Sequence, residues 1–496
     1  MTTDLVQIRL EPLSVEFEVA RGAQLLSALA AHGIEFPCGG GGICGGCGIR
    51  VLTGSLPITE SDHKHFSPQQ LNEGWRLACL ARAGSPLVLE CGQWRMDILS
   101  DASSLATAEK SGLGIAIDVG TTTIAAQLID LASGNVLAVE ALLNPQAAFG
   151  SDVMSRIRAA LDGADLSRLI RTSLRQVIVN LAAGREHEIA EVILVGNTVM
   201  HHLFCGHDVE PLSHVPFASP RLEEHRFHAC ELDWPLAGDC TIRFASCIGG
   251  FVGADILAGI LAIGMTHSDD MAALIDLGTN GEIAIGNRHG VVCASTAAGP
   301  AFEAGAIRMG MRAATGAVSH VSLAESAMQA TVIGDVAPRG ICGSGLVDAI
   351  AAGLRTAAIL PSGRIANGTK LFPIAPPVVL YQSDVRELQL AKGAIAAGFK
   401  ILLNHLGASV NEVKKVHLAG AFGNYVQIDS AIAIGLLTAP KECIHAAGNT
   451  ALRGAKMLLL QEENPTLPPI AHISLAADPS FQDEFADCMT FPNQAR

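Results

Sequence analysis

The tightest constraint on this chain is one short stretch, Phe36-Pro37-Cys38-Gly39-Gly40-Gly41-Gly42-Ile43-Cys44-Gly45-Gly46-Cys47-Gly48. Three cysteines sit in a glycine-saturated loop with the spacing C-x5-C-x2-C. A fourth, Cys79, follows in Trp75-Arg76-Leu77-Ala78-Cys79-Leu80. Four thiolates, three from one loop and one from afar, are what a [2Fe–2S] cluster needs. A loop wrapping a cluster must take positive φ values and bring its amides close to the sulfurs, and glycine does both without a Cβ clash. Such N–H···S bonds help set the cluster's potential. A structural zinc site is the alternative. Zinc usually takes two separated C-x2-C pairs, and here the second half offers only Cys79 and, later, Cys91.

The flanks favour the cluster. Leu5 to Leu10 and Ser14 to Val19 read as a two-strand hairpin, with Val6, Ile8 and Leu10 alternating. Ala23 to His32 reads as a short apolar helix. The order strand, strand, helix, cysteine loop resembles a plant-type ferredoxin over roughly residues 1–95, although that family spaces its loop C-x4-C-x2-C and this chain is one residue longer. The Arg-Leu-Ala-Cys context of Cys79 fits the resemblance better than Cys91 does. Cys38, Cys44, Cys47 and Cys79 are the expected iron ligands. The other nine cysteines (Cys91, Cys205, Cys230, Cys240, Cys247, Cys293, Cys342, Cys443 and Cys488) are scattered, as core thiols are.

A chain of 496 residues predicts two to four domains. Apolar residues make up 49% and aromatics only 4%, so small aliphatics dominate, as in α/β proteins with close helix–sheet packing. The net charge of −15, with no basic patch, argues against a nucleic-acid partner. The beginning, Met1-Thr2-Thr3-Asp4, has neither the basic nor the apolar region of a secretory signal. The longest apolar run, near Val252 to Met265, holds Asp255 and is too short to span a bilayer, so it reads as a buried helix. A cytoplasmic protein without a membrane partner is expected.

Residues 99–112, small and polar without periodicity, read as a linker between a domain at 1–98 and a large region at 113–496. Gly114 to Asp130 reads as strand, tight turn, strand around Asp118-Val119-Gly120-Thr121-Thr122-Thr123, and Val136 to Leu142 as a third strand. The syntax returns about 160 residues later. Met271 to Asp276 is a strand, Leu277-Gly278-Thr279-Asn280-Gly281 a turn, and Glu282 to Gly286 and Val291 to Ser295 are strands. Two Asp-x-Gly-Thr hairpins at that interval predict a duplicated lobe, divided at about 113–268 and 269–496. An aspartate at a strand end can hold Mg²⁺ directly or through water. The glycine lets phosphate approach the backbone, and the following Thr or Asn donates to phosphate oxygens.

The pair resembles the two phosphate motifs of the acetate-kinase, sugar-kinase, Hsp70 and actin (ASKHA) superfamily. Further segments follow in that order. Val192 to Met200 is a strand entering a loop, and Gly249 to Asp255 opens an apolar helix like the first connecting helix. Val416 to Asn424, a strand with a glycine turn, resembles the adenosine motif. Gly448 to Ala455 resembles the second connecting helix. Gly340 to Asp348 places Gly343, Ser344 and Gly345 at a helix start suited to a nucleotide, with an ordinary N-cap by Ser344 as the alternative. The expected fold is therefore α/β and multidomain, a β-grasp ferredoxin followed by a duplicated-lobe ATPase.

A ferredoxin followed by this ATPase fold resembles the reductive activators of corrinoid-dependent methyltransferases. The resemblance covers nearly the whole chain and is carried by the cysteine loop, Asp276-Leu277-Gly278-Thr279-Asn280-Gly281-Glu282 and Ile341 to Asp348. Some members end in two [4Fe–4S] clusters, whereas this tail has only Cys488. Some carry a middle domain after the linker, which the short spacing here predicts to be absent or much reduced. The resemblance implies one-electron reduction of an inactive Co(II) corrinoid protein to Co(I), driven by ATP. It implies a [2Fe–2S] cluster, ATP and Mg²⁺ as cofactors, with a flavoprotein or ferredoxin reductase as electron donor, and leaves a homodimer open. A plant-type cluster sits near about −400 mV, so the transfer runs uphill. A gap of 100 mV for one electron costs about 2.3 kcal/mol, which a nucleotide-dependent change of state can supply.

On this reading Asp118 and Asp276 hold Mg²⁺ and its waters. Gly120, Thr121, Thr122, Thr123, Gly278, Thr279, Asn280 and Gly281 surround the phosphates, while Gly420, Ala421 and Gly423 line the adenosine. Asp255 or Glu282 orients the attacking water, against an N-cap and a strand-end charge as their structural alternatives. His201 and His202, being adjacent, are expected to point apart, one of them into the core. The rival functions are a small-molecule kinase with a regulatory ferredoxin, a radical-dehydratase activator, and a plain electron carrier that no longer binds nucleotide.

Overall fold

Alternation of buried and exposed residues builds the first sheet of the computed structural model. It describes residues 4–11, 15–32, 34, 36, 40–42, 47–91, 110–150, 152–278, 280–314, 316–324, 327–366, 368–461 and 466–493. Val6, Ile8 and Leu10 are buried on one face of Leu5–Glu11. That strand pairs antiparallel with Val15–Ala20 and parallel with Leu87–Cys91. Gly48–Thr53 and Trp75–Leu77 complete a five-stranded sheet. The helix Leu26–Ala31 packs Leu29 against Ile8, Leu10, Ile49 and Leu89, the core of a β-grasp domain. Buried Asp62 ties the domain together. It closes a capping box with Thr59 and accepts from the Leu77 N–H at 2.7 Å, which fixes the strand just before Cys79.

Two six-stranded sheets follow. In the first the order is His225–Phe227, Thr241–Phe244, Ile189–Val195, Leu113–Val119, Thr123–Asp130, Val136–Leu143. In the second it is Ile444–Gly448, Val413–Ala419, Met271–Leu277, Gly281–Asn287, Gly290–Thr296, Ile470–His472. Each contains an antiparallel three-strand meander whose first strand has a parallel neighbour. The register is equivalent: Asp118 lies opposite Val195, and Asp276 opposite Ala419. The duplication read from the two hairpins is therefore a duplicated sheet. The central parallel strands Leu113–Val119 and Met271–Leu277 are almost wholly apolar and buried, as strands covered on both faces are, whereas Val413–Ala419 carries the exposed Lys414 and Lys415.

Two helices cross between the sheets. Ala254–Ala262 is buried all round apart from Asp255, so the apolar run at Val252 to Met265 is a core helix as expected. Thr450–Leu460 packs on it so closely that a Cβ at Gly454 would lie 2.0 Å from the Ala258 carbonyl oxygen. The last turn of Thr450–Leu460 is held by cations: Lys110 Nζ donates to the Leu459 carbonyl at 2.7 Å and Arg243 Nη2 to that of Leu458 at 2.9 Å. This is the favourable place for positive charge on a helix. Lys110 thereby fastens the end of the segment read as a linker to the first lobe. Gly454→Val is expected to destabilise the lobes by about 1–3 kcal/mol, the usual cost of overpacking, read from the urea midpoint. An unchanged midpoint would mean that the two helices do not cross this tightly.

Among the described residues, the ferredoxin domain meets both lobes. Its helix Leu26–Ala31 lies against the turn Pro145–Phe149, and Arg339 Nη1 donates to Glu90 Oε1 at 3.2 Å. That ion pair is largely exposed on the arginine side, and such pairs contribute about 0–1 kcal/mol.

Three sequence expectations need correction. His201 and His202 do not divide between core and surface, because the helix Thr198–Cys205 that carries them is buried on every side. Cys230 is exposed, and Cys443 and Cys488 are half-buried, so they are not core thiols. Residues 420–425 form a short helix, Gly420–Tyr425, where a glycine turn was expected.

Candidate nucleotide cleft and cluster loop

Two chemically distinct places emerge. The first lies where the cysteine loop meets Cys79. Cys38 and Cys44 are outside the described residues; Cys47 and Cys79 are both buried, at 1% and 0% exposure. The thiol of Cys79 is brought down to about 7, chiefly by its hydrogen bond with Cys47 and also by the backbone of Gly42, against the burial that pushes it up. Gln24 Nε2 donates to the Cys79 carbonyl at 2.6 Å, and the Ala78 N–H donates to the Cys47 carbonyl at 3.0 Å. Gly40 has φ +89°, and a Cβ there would fall 2.3 Å from Leu26 Cδ1. Two facing, buried thiols, one readily ionised, under a glycine backbone suit thiolate ligation of iron.

The second place gathers carboxylates from both lobes. Asp118 ends the strand Leu113–Val119, and Asp276 ends Met271–Leu277. Asp255 sits in the first turn of Ala254–Ala262, and Glu282 is the second residue of Gly281–Asn287. The three aspartates keep some contact with solvent while Glu282 is buried. Burial raises all four. Asp118 reaches about 7, with Asp276 adding to it and an Asn449 hydrogen bond opposing. Asp255 reaches about 8 through burial, then Asp118 and Asp276. Asp276 reaches about 6 through burial. Glu282 is pushed well up by burial, Asp255 and Asp276, against a Ser295 hydrogen bond. The groups thus feel one another, which sets them in one site, and four carboxylates largely withdrawn from bulk water suit a divalent cation with oxygen ligands.

Asparagines that sequence reasoning passed over arrange this site. Asn449 caps Thr450–Leu460 through Oδ1, while its Nδ2 donates to Asp118 Oδ2 at 3.0 Å. Asn197 caps Thr198–Cys205 in the same way and donates to Thr121 Oγ1 at 2.8 Å. Each lies at the junction of a strand and a helix, a cap signal that could have marked it. The backbone also comes close. Gly120 turns so tightly that a Cβ would meet the Thr123 carbonyl at 2.4 Å, and Gly420, at φ +79°, would place one 2.5 Å from Asp276 Oδ1. The adenosine-motif residue Gly420 therefore abuts the second aspartate.

The remaining expected residues distribute as follows. The carbonyl of Thr122 accepts from the Asn144 N–H, and the Gly278 N–H donates to the Asn280 carbonyl across the second turn. Gly281 opens the strand after it, and Thr279 is outside the described residues. Gly343 and Gly345 are close-packing positions: a Cβ would lie 1.7 Å from the Phe302 carbonyl oxygen and 2.2 Å from that of Val318. Cys342, not Ser344, occupies the N-cap of Gly343–Arg355, and Ser344 Oγ donates to the Ser319 carbonyl at 2.9 Å. Asp255 is not an N-cap either, since Gly253 holds that position. Ala421 lies in the helix Gly420–Tyr425. Gly423 borders a cavity of about 280 Å³ with Leu418, Asn424, Ile428 and Ala446, which shares none of the four carboxylates.

The raised carboxylates carry a pH signature. Between pH 6.5 and 8, folded Asp118 and Asp255 hold protons that the unfolded chain, with values near 3.8, has already lost. Stability therefore falls as pH rises through this window. Below 6.5 the buried His201 and His202, lowered to about 3 and 4, work in the opposite sense. The cluster-loaded protein without nucleotide or Mg²⁺ is expected to melt lower at pH 8 than at 6.5. Asp255→Asn should flatten the slope, and an equal slope in the variant would remove the carboxylates as its cause.

Fold and site together define a ferredoxin joined to a two-lobed nucleotide clamp. Residues 8–84 match the model of a 2Fe-2S iron-sulfur cluster binding domain, residues 113–268 that of the RACo middle region, and residues 270–496 that of the C-terminal RACo domain, described as the ASKHA domain. A middle region is thus present, against the expectation that it is absent or much reduced: the first of the two duplicated lobes, residues 113–268, is the segment that matches it. A corrinoid activation enzyme of Eubacterium limosum, RamQ, is 33% identical over 85% of this chain and 75% of its own. A [Co(II) methylated amine-specific corrinoid protein] reductase of Methanosarcina barkeri is 25% identical over 70% of each. A solved reductive activator for a corrinoid, iron-sulfur protein superposes with a TM-score of 0.65 at 26% identity over 98% of both chains. The chain belongs to the family of reductive activators of corrinoid proteins. Among the described residues no helix is long and apolar enough to cross a membrane.

Proposed function

We propose that this protein uses ATP to reduce an inactive Co(II) corrinoid protein to its Co(I) form, passing one electron through its ferredoxin domain. The observation that carries the reading is the joining, in one chain, of the Cys47–Cys79 thiol pair to a cleft where Asp118, Asp276, Asp255 and Glu282 converge from both lobes. A [2Fe–2S] cluster on Cys38, Cys44, Cys47 and Cys79 supplies one-electron transfer when bound. Cys47 and Cys79, themselves part of the β-grasp core, would hold it, and the Gly42 backbone adds a donor to Cys79.

In the cleft, Asp118 and Asp276 would hold Mg²⁺, which would supply charge neutralisation for the nucleotide's phosphates, and Asn449 steers Asp118. Thr121, Thr122, Thr123, Thr279 and Asn280 donate to phosphate oxygens, and Asp255 or Glu282, carboxylates from a connecting helix and a lobe, holds the attacking water. ATP draws the lobes together about the crossing of Ala254–Ala262 and Thr450–Leu460. Closure favours the state of the corrinoid complex in which cobalt accepts the electron, and hydrolysis resets the clamp. The ferredoxin domain meets an electron donor, a flavoprotein or ferredoxin reductase, and then the corrinoid protein.

The test mixes dithionite-reduced protein, MgATP and a Co(II) corrinoid protein and follows cobalt absorbance. ATP-dependent appearance of Co(I) is expected. Equal reduction without ATP would leave a plain electron carrier. ATP turnover that responds to a small metabolite and not to the corrinoid protein would instead indicate a kinase.

A further inference from the structure

We propose that the first lobe carries a zinc site formed by His201, Cys205 and His207, separate from the cluster loop and from the nucleotide cleft. One ligand atom from each of the three lies within 4.8 Å of the other two. The chain builds this juxtaposition locally. His201 and Cys205 are four residues apart on the helix Thr198–Cys205 and so share a face. Gly206 then takes φ +74°, ending the helix in the left-handed conformation, and His207 turns back towards the same face. Its N–H donates to the His202 carbonyl at 2.9 Å, which fixes that return.

The second observation is an unmet polar atom. His201 is fully buried, and its Nε2 makes no hydrogen bond of ordinary geometry, although the ring also feels the backbone of Glu223. Its Nδ1 has only His202 Nδ1 at 3.5 Å, a nitrogen already donating to the Thr198 carbonyl at 2.7 Å. His202 itself is fully used, because its Nε2 accepts from Ser219 Oγ at 2.6 Å. His202 is therefore a structural histidine, and His201 is the one a metal would satisfy. A buried imidazole nitrogen left without a partner costs about 1–3 kcal/mol, so an otherwise well-bonded helix has reason to place it only where something binds.

The donor set narrows the ion. One thiolate and two imidazoles exclude Mg²⁺ and Ca²⁺, which take oxygen ligands, and suit zinc, with copper as the competitor that metal analysis distinguishes. Tetrahedral zinc with bonds of about 2.0 Å to nitrogen and about 2.3 Å to sulfur sets its ligand atoms roughly 3.3–3.7 Å apart. Small rotations of three side chains close the difference. His207 and His225 are half-buried, with ring centroids 5.1 Å apart, so the fourth position opens on their side. Binding releases the Cys205 thiol proton to solvent. The ion would staple the end of the helix to the segment after it.

Zinc, copper and iron content of the purified full-length protein, measured together with the zinc X-ray absorption spectrum, tests this. About one zinc per chain is expected, with a mixed nitrogen and sulfur shell. His207→Gln, a substitution at a half-exposed position, should lose the zinc while iron and the cluster spectrum stay unchanged. Cys205→Ser, nearly isosteric, should do the same. Chelation should lower the melting temperature of the parent protein and leave that of His207→Gln in place. A zinc-free protein, zinc retained in both variants, or a sulfur-only shell marking metal in the cysteine loop would overturn the proposal.

Discussion

Asp276→Ala is expected to keep its iron cluster and its fold and to lose ATP-dependent reduction of the Co(II) corrinoid protein by at least about 100-fold, the loss of a single well-placed charge contact to a catalytic metal. Asp276 ends a central strand of the second lobe, lies against the backbone of Gly420, and pushes up the carboxyls of Asp118, Asp255 and Glu282. Removing it leaves the first lobe's aspartate without its counterpart, so Mg²⁺ is held from one side only. Stability should not suffer, because the variant also removes a repulsive charge from a crowded site. An apo melting point equal to or above that of the parent, combined with lost reduction, is the expected pair. Reduction at the parental rate would remove Asp276 from the nucleotide chemistry.

How much of this was legible beforehand follows from the kind of signal each part carries. The two meanders were legible because a strand of alternating or wholly apolar residues ended each time in Asp-x-Gly-Thr, and their strands begin and end within one or two residues of expectation. The edge strands His225–Phe227 and Ile470–His472 were not, since three residues have no period to read. Gly343 and Gly345 show the limit of reading glycine. Sequence allows an anion cradle; the structure adds that the carbonyls of Phe302 and of Val318, the latter within the strand Ala317–Ala324 and both more than 20 residues earlier in the chain, leave no room for a Cβ at either position. The aspartates were legible as residue types at strand ends. Asn449 and Asn197 were not, because their part is relational: each caps one helix while steering a residue of the first hairpin. The pairing of His201 with Cys205 and His207 was hidden for the same reason, since it depends on a left-handed turn at Gly206.

Cys79→Ala should give the mirror image of the aspartate variant. Cys79 is fully buried, it faces Cys47, and it alone of the four expected ligands lies outside the loop. Its backbone is held independently of its sulfur, by Gln24 at its carbonyl and by Asp62 at the Leu77 N–H two residues earlier. The β-grasp fold should therefore survive while the site is left with three thiolates for a cluster that takes four. The expected outcome is loss of the visible cluster spectrum and of all electron transfer to cobalt, with nucleotide binding retained, because the cleft lies on the lobes and shares no residue with the cysteine loop. The two variants together separate the wire from the clamp. If Cys79→Ala also abolished ATP binding, the two would be one cooperative unit, and the contact through Arg339 and Glu90 could not be their principal connection.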